Sequence, residues 1–290
     1  MLTDEARAAA NASSWSVFRA SGNALFAPLD PVLRGMPVDR WPDVAALNDA
    51  AQRRDQLVVN ANGEPIRFVP QEGRPARFED AYEPRIFLRG EVMVRESNWH
   101  DLFNALVWMT FPRSKAAINA RHYASLSAQK SPQRSALGDA LTLFDEDGVV
   151  VLSSNARLLE LLCGFQWKEL FVECREAVRS EMRFLVFGHA MYEKALNPFI
   201  GMTAKSVLLP VPADVIELEG VALNAEADRL LGAYILEPGN LLHGRSLSPL
   251  PVLGVPGWWP PNEATAFYDD TSYFRSGRLG ADACGSSPGS

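Results

Sequence analysis

The sequence of 290 residues has few cysteines, few histidines and no long apolar run. Its three cysteines, Cys163, Cys174 and Cys284, form no C-x-x-C pair, which indicates neither a disulfide framework nor a zinc ribbon. No stretch approaches the ~20 apolar residues that a helix needs to cross a bilayer. The first residues also lack the apolar core of a secretory signal. We therefore expect a protein with no membrane partner that resides in the reducing cytoplasm.

Positive charge is in the minority, with 28 Lys and Arg against 35 Asp and Glu and a net charge of −7. Non-specific binding of nucleic acid depends on neutralising phosphates. The composition therefore argues against a nucleic-acid partner, although it leaves room for a nuclease with a local metal ion, and a small molecule is the expected substrate. We expect residues 1–278 to form a single globular domain and the Gly- and Ser-rich residues 279–290 to form a disordered tail.

The most informative stretch runs from Asn98 to His122 and reads NWHDLFNALVWMTFPRSKAAINARH. Apolar residues recur at helical spacing before Pro112, and proline suits the first turn of a helix but not its interior. This pattern predicts two helices that meet at Thr110–Pro112, the second of which ends near Leu126.

Polar residues line one side of each of these two helices. His100, Asn104 and Trp108 are spaced four apart, and Lys115, Asn119 and His122 are spaced four and three apart. If the corner at the proline folds the helices together, both polar lines face a common cleft. We predict catalytic roles for His100, Asp101, Asn104, Lys115 and Asn119, and ligand-binding roles for Asn98, Trp108, His122 and the more distant Lys205.

Each of these residues also has a structural interpretation. The polar side of an amphipathic helix commonly faces water. Asp101 lies near a helix start, where an acid favours the helix dipole and Asn98 suits the cap. Trp108 is of a size and apolarity typical of a core residue.

A second helical motif, VFGHAMYEKALN, places His189 and Glu193 four residues apart on one side of a helix. An imidazole and a carboxylate at this spacing can chelate a metal ion or form an acid–base pair. The structural alternative is a histidine that is satisfied by the carboxylate of its own helix. We predict that His189, Glu193 and Asp139 bind a divalent metal ion, with Zn, Mn or Fe as the candidates.

The remaining patterns predict an α+β fold with a mainly helical body and a small antiparallel sheet. Strands do not alternate regularly with helices, which argues against a doubly wound parallel sheet. An irregular strap rich in proline and aromatic residues, Leu247–Arg278, should wrap this body. The predicted elements are a strand in IRFVP, an extended segment Glu83–Glu96, a hairpin Asp139–Ser154 that turns at Asp147-Gly148, helix over Ala156–Pro198 with a break at Gly164, a strand in SVLLPV and a helix Asn224–Glu237 capped by Asn224.

Four segments together resemble the bacterial family called domain of unknown function 3025, over about residues 80–278. They are NWHDLFNALVWMTFPRSKAAIN, DALTLFDEDG, VFGHAMYEKALNPFIGMTAK and PLPVLGVPGWWPPNEATAFYDDTSYFR. The resemblance implies no activity. It implies that the motif blocks of the family contain His100, Asp101, Asn104, Asp139, His189 and Glu193.

The shorter segment NALVWMTFPRSKAAIN is also similar to the helical region of some His-Me finger (HNH-type) nucleases. That resemblance implies magnesium-dependent cleavage with His100 or His122 as general base and with Asn104 and Asn119 holding the catalytic loop. Four hypotheses follow from the sequence. The first is a metal-dependent hydrolase, and the second is a nuclease of this type. The third is a metal-free acid–base enzyme or small-ligand-binding protein, and the fourth is a purely structural protein.

Overall fold

The computed structural model describes residues 14–277, apart from residues 72, 74 and 129–134. The predicted disordered tail lies outside the described residues. Within them, helices predominate, and the predicted α+β class is confirmed. The α-helices are α1 (residues 14–20), α2 (Asp30–Leu33), α3 (Val44–Gln52), α4 (Tyr82–Arg89), α5 (Trp99–Thr110), α6 (Pro112–Ala128), α7 (Ala136–Asp147), α8 (Ala156–Cys163), α9 (Arg175–Glu181), α10 (His189–Ala195), α11 (Ala213–Ile216) and α12 (Gly220–Leu236).

The strands form two small sheets. They are β1 (Arg67–Pro70), β2 (Glu91–Val94), β3 (Gly148–Ser153), β4 (Met182–Val186), β5 (Thr203–Pro210) and β6 (Ser248–Pro251). Short 3-10 helices span Ala24–Leu29, Phe78–Asp80, Gly244–Ser246, Val252–Gly254, Pro260–Glu263 and Thr265–Asp269, and a π-helical turn spans Glu169–Glu173.

The larger sheet has the strand order β4-β3-β5-β6 and is mixed. Its central strand β3 is buried at all six positions and pairs antiparallel with β4 but parallel with β5. The connection from β3 to β5 contains α8, α9 and α10, which gives the chain the long crossover that parallel pairing requires. The smaller sheet pairs β1 with β2, also in parallel. The prediction of a purely antiparallel sheet is therefore wrong, whereas that of a small sheet beside a helical body is confirmed.

The predicted hairpin over Asp139–Ser154 is wrong, because its first half is the helix α7. Ala140, Leu141 and Phe144 lie at helical spacing and are buried together. Gly148 has a φ of −71°, not the positive value of a primed hairpin turn. The acidic residues that were assigned to the turn therefore end a helix that leads directly into β3.

Three other predicted elements are also wrong in part. The segment Glu83–Glu96 is not extended throughout: α4 ends at Gly90, whose φ of +68° suits glycine, and only then does β2 begin. The segment Ala156–Pro198 is not continuously helical, because β4 lies between α9 and α10. Asn224 lies inside α12 and donates to the Pro28 carbonyl at 2.7 Å instead of capping the helix.

The predicted pair of helices is confirmed, since α5 and α6 meet at Pro112. Asn98 caps α5 by accepting a hydrogen bond from the Asp101 amide at 3.0 Å. Asp228 of α12 accepts from the amides of Arg113 (3.0 Å) and Ser114 (2.8 Å), which satisfies free donors at the start of α6. Asp228 thus holds the corner between the two helices, while Asn98 fixes the opposite end of α5.

The C-terminal strap packs on the rest of the chain, as its aromatic residues predicted. Tyr268 and Tyr273 are buried, and their hydroxyls donate to the carbonyls of Gly254 and Met202, each at 2.8 Å.

Cys163 is disulfide-bonded. Among the described residues, none of the helices combines the length and apolarity needed to cross a bilayer.

Candidate metal centre

Two histidines and one glutamate from three different helices meet at one point. Nε2 of His100 lies 3.1 Å from Nε2 of His189. Oε2 of Glu146 lies 3.8 Å from the first of these nitrogens and 3.5 Å from the second. Two imidazole nitrogens on one tetrahedral zinc ion, each about 2.0–2.1 Å from it, are about 3.3–3.4 Å apart. The spacing of these three side chains therefore fits a single metal ion.

Gly188 allows the helix that carries His189 to approach the end of α7 closely. A Cβ atom at Gly188 would lie 2.3 Å from the Glu146 carbonyl oxygen and 2.4 Å from the Gly148 amide nitrogen. These distances are shorter than any side chain tolerates, so a residue without Cβ is required. The closeness of His189 to Glu146 therefore depends on the glycine that precedes His189.

Burial keeps the imidazole of His189 neutral. The side chain is only 6% exposed, and this desolvation lowers the pKa of His189 to about 3 despite the nearby carboxylate of Asp145. Neutral imidazole is the form that binds metal ions. Nδ1 of His189 is buried without a hydrogen-bond partner among the described residues, and Oδ2 of Asp145 lies 3.8 Å from it.

Glu193 contacts the opposite nitrogen of the other histidine. Its Oε2 lies 3.2 Å from Nδ1 of His100. When Nδ1 carries the proton and donates to this carboxylate, Nε2 keeps its lone pair for the cluster. Histidines that bind metal ions commonly donate their second ring nitrogen to a carboxylate in this way. This contact places the Glu193 carboxylate beside the ring nitrogen of His100 that does not face the cluster.

A chain of polar groups that runs from the buried Lys115 to the exposed Tyr82 lies beside the cluster. Nζ of Lys115 contacts both carboxylate oxygens of Asp145, at 2.6 and 2.8 Å, and donates to Oδ1 of Asn104 at 2.8 Å. Nδ2 of Asn104 in turn donates to the hydroxyl oxygen of Tyr82 at 2.6 Å. Lys115 holds the pKa of Asp145 below its usual value although burial acts to raise it. The charge of Lys115 is thus balanced inside the protein.

A cleft of about 400 Å³ opens onto the cluster. Its wall includes His100, Glu146 and His189 together with Tyr82, Glu83, Arg95, Asn104 and His122. Nδ2 of Asn119 donates a hydrogen bond to the carboxylate of Glu83 at 2.7 Å. Burial raises the pKa of Glu83, and the nearby His122 acts to lower it. The volume is in the range of small-molecule sites.

The structure places the predicted site residues in several environments. Asp101 pairs with Arg95 at 2.8 Å, and Asn98 caps α5. Trp108 is buried in the core, with Nζ of Lys115 5.5 Å from its ring centroid. Asp139 is exposed in the first turn of α7 and Lys205 is half-buried on β5, and neither lines the cleft. The residues brought together at the cleft are therefore His100, Asp101, Asn104, His122 and His189.

Glu146 and Tyr82 lie at the site but were not predicted from the sequence. Glu146 follows Asp145 and precedes Asp147-Gly148, a pair that is typical of a turn. Only the helical spacing of Ala140, Leu141 and Phe144 offered a signal that the acids end a helix. Tyr82 had no signal in its own sequence context, because its position is set by contacts with α5.

Comparison with known proteins gives one match. Residues 66–278 match the family described as "Protein of unknown function (DUF3025)". No curated protein and no solved structure matches the chain. The matched region contains the three residues of the cluster and every residue named above in the wall of the cleft. The chain belongs to the DUF3025 family.

Proposed function

We propose that this protein is a metal-dependent hydrolase whose ion is held by His100, Glu146 and His189. The observation that carries the proposal is the convergence of their Nε2, Oε2 and Nε2 atoms within 4.8 Å of one another. Two side chains of the set have features that suit a metal ligand: His100 is oriented by a neighbouring group, and His189 is desolvated. His100 contacts Glu193 through its other nitrogen, and burial keeps His189 neutral.

Two imidazole nitrogens and one carboxylate oxygen form a ligand set that zinc takes in hydrolases and that Fe(II) takes in some oxygenases. Three protein ligands leave a coordination position open for water or substrate. A metal ion with such an open position lowers the pKa of the water bound there and polarises a substrate oxygen. We favour zinc and hydrolysis because the set opens onto a cleft of small-molecule size that is lined mostly by residues of polar type.

Metal content tests the first part of the proposal. The purified protein should contain close to one equivalent of zinc, manganese or iron by elemental analysis, and its melting temperature should rise when the missing ion is returned after chelation. His100→Ala and His189→Ala should lose both effects. His243→Ala is the matched control, because His243 is exposed before the 3-10 helix Gly244–Ser246 and does not line the cleft. Metal binding that survives both cluster variants would contradict the proposal.

Hydrolysis tests the second part. The zinc-loaded protein should cleave members of a panel of small esters and amides, and chelation should abolish the cleavage. Glu146→Gln should reduce the rate together with the metal content, whereas His243→Ala should change neither. A rate that persists in chelator or in His189→Ala would show that the cleavage comes from another source.

A further inference from the structure

The hydroxyl oxygen of Tyr82 accepts a hydrogen bond whose direction is set by the groups behind it. Lys115 can only donate hydrogen bonds, so Asn104 must accept with Oδ1 at 2.8 Å. The amide nitrogen of Asn104 therefore faces Tyr82 and donates to its oxygen at 2.6 Å. The hydroxyl hydrogen of Tyr82 has no acceptor among the described residues. It remains available as a donor.

This donor belongs to the same cleft as the metal cluster. Tyr82, Asn104 and His100 all line it, and Asn104 lies one helical turn after His100 on α5. The ordinary pKa of a tyrosine is about 10, so the hydroxyl of Tyr82, a residue that is 36% exposed, keeps its proton at neutral pH. The cleft thus offers a ligand at the metal cluster a neutral hydrogen-bond donor.

The charges in the cleft discriminate between classes of substrate. Arg95 is the one lysine or arginine in the described wall, and Asp101 already neutralises it at 2.8 Å. The nearby Lys115 is likewise paired with Asp145. Among the described wall residues no unpaired lysine or arginine is left to assist the metal ion in neutralising a phosphate dianion, whereas a carbonyl oxygen beside the ion needs only a neutral donor.

We propose that Tyr82 donates a hydrogen bond to the carbonyl oxygen of the substrate, which makes the substrate a carboxylic ester or amide. The proposal rests on the proposed metal-dependent hydrolysis. In this reaction water adds to the carbonyl carbon, the bond from that carbon to the leaving oxygen or nitrogen breaks, and one proton of the water passes to the leaving group. Tyr82 keeps its proton and stabilises the negative charge that develops on the carbonyl oxygen.

Binding of acetohydroxamic acid to the zinc-loaded protein tests the proposal. This probe has a carbonyl oxygen that can occupy the position assigned to the substrate carbonyl. By titration calorimetry, Tyr82→Phe should bind it roughly tenfold more weakly than the wild type, which corresponds to one lost hydrogen bond to a charged group. The zinc affinity of the variant should not change. Thiocyanate, which binds zinc through one end and has no carbonyl, should bind both proteins equally, and inorganic phosphate should bind more weakly than acetohydroxamic acid.

Tyr123→Phe is the matched control. Tyr123 is half-buried on α6, stacks on Phe87 and does not line the cleft. Equal binding of acetohydroxamic acid by wild type and Tyr82→Phe, with zinc retained, would overturn the proposal. Tighter binding of phosphate would overturn the substrate class. A parallel loss of zinc and probe in Tyr82→Phe would assign the hydroxyl a structural role and would also overturn it. A wild type that binds no metal would instead overturn the proposed hydrolase and, with it, this inference.

Discussion

Nε2 of His100 lies 3.1 Å from Nε2 of His189, although 89 residues separate them in the sequence. The two side chains come from α5 and α10, which pack against each other, and α10 also packs against α7. Two neutral imidazoles at this distance can share at most one proton between them. Glu146 lies beside both nitrogens and supplies the third group that the proposed metal ion requires.

Glu193 should tune the metal affinity without supplying a ligand. Glu193→Gln weakens the acceptor for Nδ1 of His100, 3.2 Å away, and should reduce the affinity for zinc about 10–100-fold. Glu146→Gln should reduce it further, since it removes the proposed anionic ligand. Competition with a chromophoric chelator measures both values. Glu176→Gln, at an exposed side chain of α9, should bind zinc like the wild type. If Glu193→Gln binds zinc more weakly than Glu146→Gln does, then Glu193 and not Glu146 is the ligand.

Gly188→Ala should impair metal binding from a position that carries no ligand. The added Cβ would meet backbone atoms of Glu146 and Gly148 at less than 3.0 Å, so α10 must move away from the end of α7. The shift separates His189 from Glu146 and should lower both the zinc affinity and the melting temperature. Gly239→Ala is the control, because its Cβ would meet only the Glu237 side chain at 4.0 Å. Unchanged zinc binding in Gly188→Ala would show that the approach of the two segments is not needed.

His189 should make the metal-free protein less stable in acid. An unfolded histidine binds a proton near pH 6.5, whereas burial lowers the pKa of folded His189 to about 3. The unfolded state therefore binds more protons between these values, and the free energy of unfolding falls as the pH is lowered from about 6.5 towards 3. Urea unfolding in chelator at pH 4–6.5 measures this slope. His189→Gln should flatten it and His243→Gln should not, and a slope that His189→Gln leaves unchanged would contradict the burial argument.

Lys115 and Asp145 should show strong coupling in a double-mutant cycle. Their side chains are only 4% and 16% exposed, so Lys115→Met leaves a carboxylate without its cation in a poorly solvated place. We expect it to lower the free energy of unfolding by roughly 3–5 kcal/mol, and Lys115→Met/Asp145→Asn to recover part of the loss. The exposed pair Lys194–Asp147 is the control, and Lys194→Met should cost less than about 1 kcal/mol. Additive effects in the buried pair would contradict the coupling.

Local patterns sufficed for the helix pair α5 and α6, because apolar spacing and Pro112 report directly on helical structure. They also identified His100 and His189 as residues on helical surfaces. They failed for α7, where an Asp-Gly pair outweighed the buried spacing of Leu141 and Phe144. They failed for β4 because its apolar residues adjoin helical segments on both sides, and only pairing with β3 distinguishes a strand from a helix there.

The composition of the cluster depended on contacts that no local pattern encodes. Glu193 was predicted as a ligand from its spacing to His189, yet in the structure it contacts His100 on another helix. Glu146 reaches the cluster because Gly188 permits the close approach of two backbones. Both relationships are set by packing between distant segments.

Anomalous diffraction from crystals of the zinc-loaded protein, recorded on both sides of the zinc absorption edge, tests the central claim most directly. The proposed function predicts one strong zinc peak between Nε2 of His100, Nε2 of His189 and Oε2 of Glu146, about 2.0–2.2 Å from each. A peak at another place, or no peak when zinc is present in excess, would contradict the proposed metal centre.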